Sequence, residues 1–243
     1  MFVAPSPSAH CPSRSMRSVV RGLAAVAIVL SVAAAMIGWQ TAEPLADYTI
    51  VYIHVPAAWL SLLLYGAAVA VAAVTLQSPA RLPARTLEAI APVGAAAAFA
   101  ALWTGLTSQQ ARGAWWGWDA RLICELVILV LFVALMALRH GTDEPAGAER
   151  AGAVLVLTGA LNIPIIYLSV DWWHTLHERA AATVGRSPLV TGAMALMTLA
   201  TCLYAGAVVL ARLETFMRER EAGARNFGSA RAEGGSARTP AKE

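Results

Sequence analysis

Charge is what this sequence has least of. Among 243 residues only 14% are Asp, Glu, Lys or Arg, whereas 58% are hydrophobic. A water-soluble chain of this length needs a charged shell, so the proportions exclude an ordinary soluble domain. A mean hydropathy of +0.60 points the same way. Cysteine is also scarce: Cys11, Cys124 and Cys202 stand far apart, with no C-x-x-C pair. That spacing argues against a disulfide scaffold, a thiolate zinc site and covalent haem attachment through C-x-x-C-H. A pI near 9.0 would suit nucleic acid, but the basic residues form no cluster on a soluble module.

What the chain does have is long apolar runs. A helix crossing the hydrocarbon needs about 20 apolar residues at roughly 1.5 Å rise each. Six stretches qualify: Gly22–Gln40, Val55–Leu76, Ala89–Leu106, Leu122–Leu138, Ala151–Val170 and Val190–Ala211. Only the fourth carries a charge, Glu125. Pro56 is expected in the first turn of its helix, where a missing N–H costs nothing. Pro92 and Pro164 are tolerable because neighbouring helices can satisfy the carbonyls they free. The expected fold is an all-α integral membrane protein, a six-transmembrane-helix bundle.

Arginine sets the orientation. Ten arginines (14, 17, 21, 81, 85, 139, 150, 212, 218 and 220) flank one side, and four (112, 121, 179 and 186) the other. By the positive-inside rule both termini are expected in the cytoplasm. At 19 residues the first run is long for a cleavable signal, and its removal would spoil the even count of spans. The reading divides the chain into a cytoplasmic segment 1–21, a membrane domain 22–211 with a periplasmic loop 107–121, and a tail 212–243. From about Glu214 onward that tail has few apolar residues, so its composition predicts disorder.

The aromatic residues are distributed asymmetrically. Trp39, Trp59, Trp103, Trp115, Trp116, Trp118, Trp172 and Trp173 all fall in periplasmic loops or at the periplasmic ends of spans. Trp39, Trp59 and Trp103, one per helix end, read as an interfacial belt. Trp115, Trp116 and Trp118 crowd a short loop with Asp119 and Arg121. A loop cannot hide three indoles by itself, so they must pack on the membrane, on other loops or on a large flat ligand.

Histidine sorts in the same way. His10 and His140 read as solvated cytoplasmic residues, while His54 immediately precedes the second span and His174 and His177 follow the fifth. Haem suits this set of groups: imidazoles for its two axial positions, indoles for its apolar face and a guanidinium for its anionic propionates. Zinc fits less well, because it wants three or four close ligands and no apolar shelf.

Residues Gly113-Ala114-Trp115-Trp116-Gly117-Trp118-Asp119-Ala120-Arg121-Leu122-Ile123 resemble the signature of the tryptophan-rich haem-handling superfamily. Tyr52-Ile53-His54-Val55-Pro56-Ala57-Ala58 and Asn162-Ile163-Pro164-Ile165-Ile166, running into Ser169-Val170-Asp171-Trp172-Trp173, narrow the resemblance to the CcmC family, haem exporter protein C. It covers roughly residues 20 to 212. The chain departs from the family pattern in having Arg112 for a Trp, Ile123 for a Thr, His174 for an Asn and Glu178 for a Gln.

The resemblance implies non-covalent haem (haem b) bound between His54 and His177 as axial ligands, with His174 as rival for the second position. It implies a docking surface of Trp115, Trp116, Trp118, Asp119 and Arg121. The implied role is delivery of haem to a periplasmic chaperone of CcmE type for cytochrome c maturation, without chemical turnover. Implied partners are ABC transporter subunits of CcmA and CcmB type, a small CcmD-type membrane protein and membrane lipid.

For Arg121 two roles stand open: a propionate partner, or a local pair with Glu125 at i+4. Two other functions compete with haem delivery. A b-type electron-transfer cytochrome would place histidine pairs within the spans, and none of the six runs holds one. A permease for a small solute would line several spans with polar groups, and only Glu125 and Asn162 come near that.

Overall fold

The computed structural model describes residues 14–40, 50–78, 80–111, 120–140, 145–172 and 188–236. Its helices are α1 (Arg14–Gln40), α2 (Val51–Gln77), α3 (Arg81–Ala111), α4 (Ala120–His140), α5 (Pro145–Gly159), α6 (Asn162–Trp172) and α7 (Pro188–Ser236). No strand occurs among the described residues. Six spans are long and apolar enough to cross a membrane: Met16–Gln40, Val51–Gln77, Arg81–Thr107, Ala120–Arg139, Ala146–Ser169 and Pro188–Glu219. The expected six-helix bundle is therefore present.

The third span is the hub, 61% buried against 11% for the first. Lipid tails are as apolar as leucine, so hydrophobicity cannot drive one span against another, and close packing must do so. Alanine and glycine supply that closeness: Ala91, Ala95 and Ala98 of α3 join a core with Tyr65, Ile128, Phe132 and Val156. A Cβ on Gly94 would overlap the Phe132 ring, so only glycine lets this ring lie against the α3 backbone. Tyr65 meets Phe132 edge-on, with centroids 5.4 Å apart and an interplanar angle of 81°.

The fifth span is broken. Pro164 cannot donate to the Ala160 carbonyl, and its ring would collide with it. The chain turns at Ala160 and Leu161 instead, where Ala160 N–H donates to the Leu157 carbonyl at 3.2 Å and Ile163 N–H to the Ala160 carbonyl at 3.1 Å. The Val156 carbonyl, which a continuous helix would bond to Ala160, accepts the Tyr65 hydroxyl at 3.0 Å. Asn162 Nδ2 crosses to the Cys124 carbonyl of α4 at 2.9 Å. A neighbouring helix thus satisfies the Val156 carbonyl, whereas the Ala160 carbonyl that Pro164 frees is satisfied within the turn by Ile163 and not, as expected, by a neighbour. Tyr65→Phe is expected to destabilise the folded protein by about 1 kcal/mol in a detergent unfolding titration, the usual cost of one such bond.

At the end of the bundle where α1 begins, ion pairs tie the helices together. Glu88 of α3 accepts from Arg139 of α4 at 2.6 Å and from Arg85 at 2.7 Å, and Arg139 also reaches Glu149 of α5 at 3.7 Å. Glu214 of α7 pairs with Arg17 of α1 and with Arg218, which sets the start of α1 beside the last span.

Two expectations need correction. The second helix begins at Val51, so Pro56 is its sixth residue and lies beyond the first turn; Tyr52-Ile53-His54 is itself helical. The last helix continues to Ser236, where composition predicts disorder from about Glu214. Ala, Arg, Glu and Met in that stretch are strong helix formers, and the helix simply propagates from the membrane span.

Candidate functional site

The ends of α1, α3 and α6 and the starts of α2, α4 and α7 share the opposite end of the bundle. His54 is the fourth residue of α2, inside the helix by one turn and not ahead of it. Its backbone N–H closes that turn on the Ile50 carbonyl at 2.9 Å. Its ring crosses to α3, where Nδ1 lies 2.9 Å from the Ala101 carbonyl and 3.1 Å from Thr104 Oγ1. A carbonyl can only accept, so Nδ1 carries the proton in this contact, and in the neutral ring Nε2 is then the nitrogen with the lone pair.

Gly105 explains how three helices meet at this ring. A Cβ there would lie 3.1 Å from His54 Cε1 and 2.5 Å from Leu122 Cδ2. Bare backbone therefore lets the imidazole of α2 and the first turn of α4 both press against α3. Leu122 directly follows Arg121, so His54 sits below the point where the tryptophan-rich segment enters α4. Beyond Gly105, α3 runs on six residues to Ala111, about 9 Å at the usual helical rise. The helical part of the expected 107–121 loop thus leaves 112–119 as the connection.

Glu125, one turn into α4 from Arg121, is only 4% exposed. Its Oε1 is the one buried side-chain oxygen or nitrogen without a hydrogen-bond partner among the described residues.

Trp39, Trp59 and Trp103 are exposed at 84%, 47% and 60%, as outward-facing belt residues should be. Phe99 stacks on Trp103, with centroids 6.2 Å apart.

Trp115, Trp116, Trp118 and Asp119 lie outside the described residues, as do His174 and His177. Their neighbours in sequence are placed. Ala120 and Arg121 open α4, and α6, which packs on α4, closes at Trp172 immediately before the segment with the two histidines. Sequence reasoning missed Ala101, Thr104 and Gly105. No motif marks them, because their role arises only where α3 crosses α2.

Six spans, with an anchored imidazole and a buried carboxyl toward one end, define a polytopic helical membrane protein. The family described as Heme exporter protein C matches residues 4–227. The chain is 40% identical over 177 residues to Heme exporter protein C of Bradyrhizobium diazoefficiens, covering 70% of this chain and 67% of that one. It is 44% identical over 133 residues to Heme exporter protein C of Escherichia coli K12, and the match spans 54% of either chain. A putative cytochrome c biosynthesis ccmC-like mitochondrial protein of Marchantia polymorpha is 38% identical over 157 residues, 64% of this chain and 65% of its own. This chain belongs to the Heme exporter protein C family.

Proposed function

We propose that the chain binds haem non-covalently at the periplasmic face of the inner membrane, between His54 and His177, and hands it to a periplasmic chaperone of CcmE type for cytochrome c maturation. The observation that carries this reading is the His54 ring, whose Nδ1 donates to α3 and whose Nε2 is therefore the nitrogen that bears the lone pair, the form in which an imidazole ligates a metal. The printed names of the relatives, with their reference to heme export and cytochrome c biosynthesis, support the same reading. In it the 112–119 segment supplies Trp115, Trp116, Trp118 and Asp119 as a shelf and docking edge. Arg121, at the start of α4, takes a propionate. Two protein imidazoles fill the axial positions of the iron, which suits carriage without oxygen chemistry. Release then requires one imidazole to let go, so the receiving chaperone must compete for iron or ring.

Partners of CcmA, CcmB and CcmD type would assemble around the bundle. The arginine excess at the end where α1 begins orients that end to the cytoplasm.

Mixing the purified haem-loaded protein with such a chaperone tests the reading. The haem spectrum is expected to pass to the chaperone, and a chain that never yields its haem would contradict delivery. Reporter fusions at Glu243 and near Trp116 are expected to report opposite compartments; one compartment for both would overturn the orientation.

A further inference from the structure

The stretch Ala101–Gly105 of α3 has no part in the recognition motifs, yet it holds the imidazole. Thr104 is 9% exposed, buried between α3 and α2. Its hydroxyl spends its one hydrogen on the helix, 2.6 Å from the Ala100 carbonyl and 3.2 Å from the Ala101 carbonyl. Toward His54 Nδ1, 3.1 Å away, it can then offer only a lone pair. The Ala101 carbonyl, 2.9 Å from the same nitrogen, also offers only a lone pair. The Ala101 carbonyl and Thr104 Oγ1 are both acceptors toward Nδ1, so the hydrogen belongs on Nδ1 and the basic nitrogen is Nε2.

Two acceptors also restrain rotation of the ring better than one. A single carbonyl lets the imidazole pivot about one hydrogen bond, whereas a second acceptor and the close Gly105 backbone restrict that pivot.

We propose that Thr104 is a positioning residue for haem binding: together with the Ala101 carbonyl it locks His54 as the Nδ1–H tautomer and so reserves Nε2 for iron. The proposal rests on the reading of His54 as a haem ligand and adds the group that aims it. Outer partners of a metal-binding histidine commonly fix its tautomer and orientation, and their loss weakens metal binding by about 10- to 100-fold. Because the Ala101 carbonyl remains in a Thr104 variant, the low end of that range applies here.

The test uses the full-length protein in detergent with ¹⁵N-labelled histidine. In the haem-free wild type, the signal that disappears in His54→Ala is expected to be that of an Nδ1–H tautomer; an Nε2–H tautomer would overturn the proposal without any further variant. Thr104→Val keeps the shape and removes the hydroxyl. It is expected to mix the tautomers and to weaken haem binding about tenfold, while Thr104→Ser restores both. Wild-type tautomer and affinity in Thr104→Val, with haem lost in His54→Ala, would overturn the role of Thr104 and leave haem binding at His54 standing. Undiminished haem binding in His54→Ala would overturn both.

Discussion

Purified His54→Ala protein is expected to lose the six-coordinate low-spin spectrum that haem gives with the wild type, and His177→Ala is expected to do the same. On the proposed ligation, removing either imidazole takes away a direct bond to iron, so the loss should exceed what an outer partner costs and reach at least about 100-fold in affinity. The fold should survive. His54 lies at the edge of the bundle, one turn into α2, and the core is built from Tyr65, Phe132, Ile128 and the alanines of α3. His174→Ala is the control. Three residues before His177, it shares a face with it on any helical turn and is the rival ligand. Its removal is expected to leave the spectrum nearly intact. Loss in His174→Ala with retention in His177→Ala would move the second ligand to His174 without touching the haem reading.

Replacing Trp115, Trp116 and Trp118 together by Ala is the second change of large expected effect. An indole laid against a flat ring buries on the order of 100 Å² of apolar surface, worth about 2.5 kcal/mol at 25 cal/mol per Å². Even a third of the summed effect lowers haem affinity by roughly 60-fold. The protein should still accumulate, because the core among the described residues is built from α2, α3, α4 and α5. Wild-type haem binding and transfer in the triple variant would reduce these residues to a membrane anchor.

Much of this architecture was legible in the sequence for a physical reason. A transmembrane helix must be apolar for about 20 residues, and no other feature of a chain imitates that. The runs therefore located the helices, and Pro164 marked a place where carbonyls would be freed. Which groups satisfy them was not legible: Tyr65 is 91 positions from Val156, and no local pattern reports such a contact. Helix ends were read less well. Apolarity stops at the edge of the hydrocarbon, whereas helix does not, so α2 begins ahead of Val55 and α3 and α7 outrun their apolar segments.

The candidate site shows the same division. His54 stood out because an imidazole at a membrane edge, beside a tryptophan cluster, needs an explanation. Thr104 and Gly105 did not, since a threonine and a glycine near a helix end are ordinary until the fold sets them 2 to 3 Å from the space of another ring or chain. Glu125 was visible as the one charge within an apolar run, and its Oε1 has no hydrogen-bond partner among the described residues.

The measurement that bears most directly on haem carriage between two histidines is the electron paramagnetic resonance spectrum of the purified wild-type protein with one equivalent of ferric haem. Axial ligation by His54 and His177 predicts a single low-spin signal of the bis-imidazole type. A high-spin, five-coordinate signal, or haem that partitions into detergent and leaves the protein empty, would contradict it.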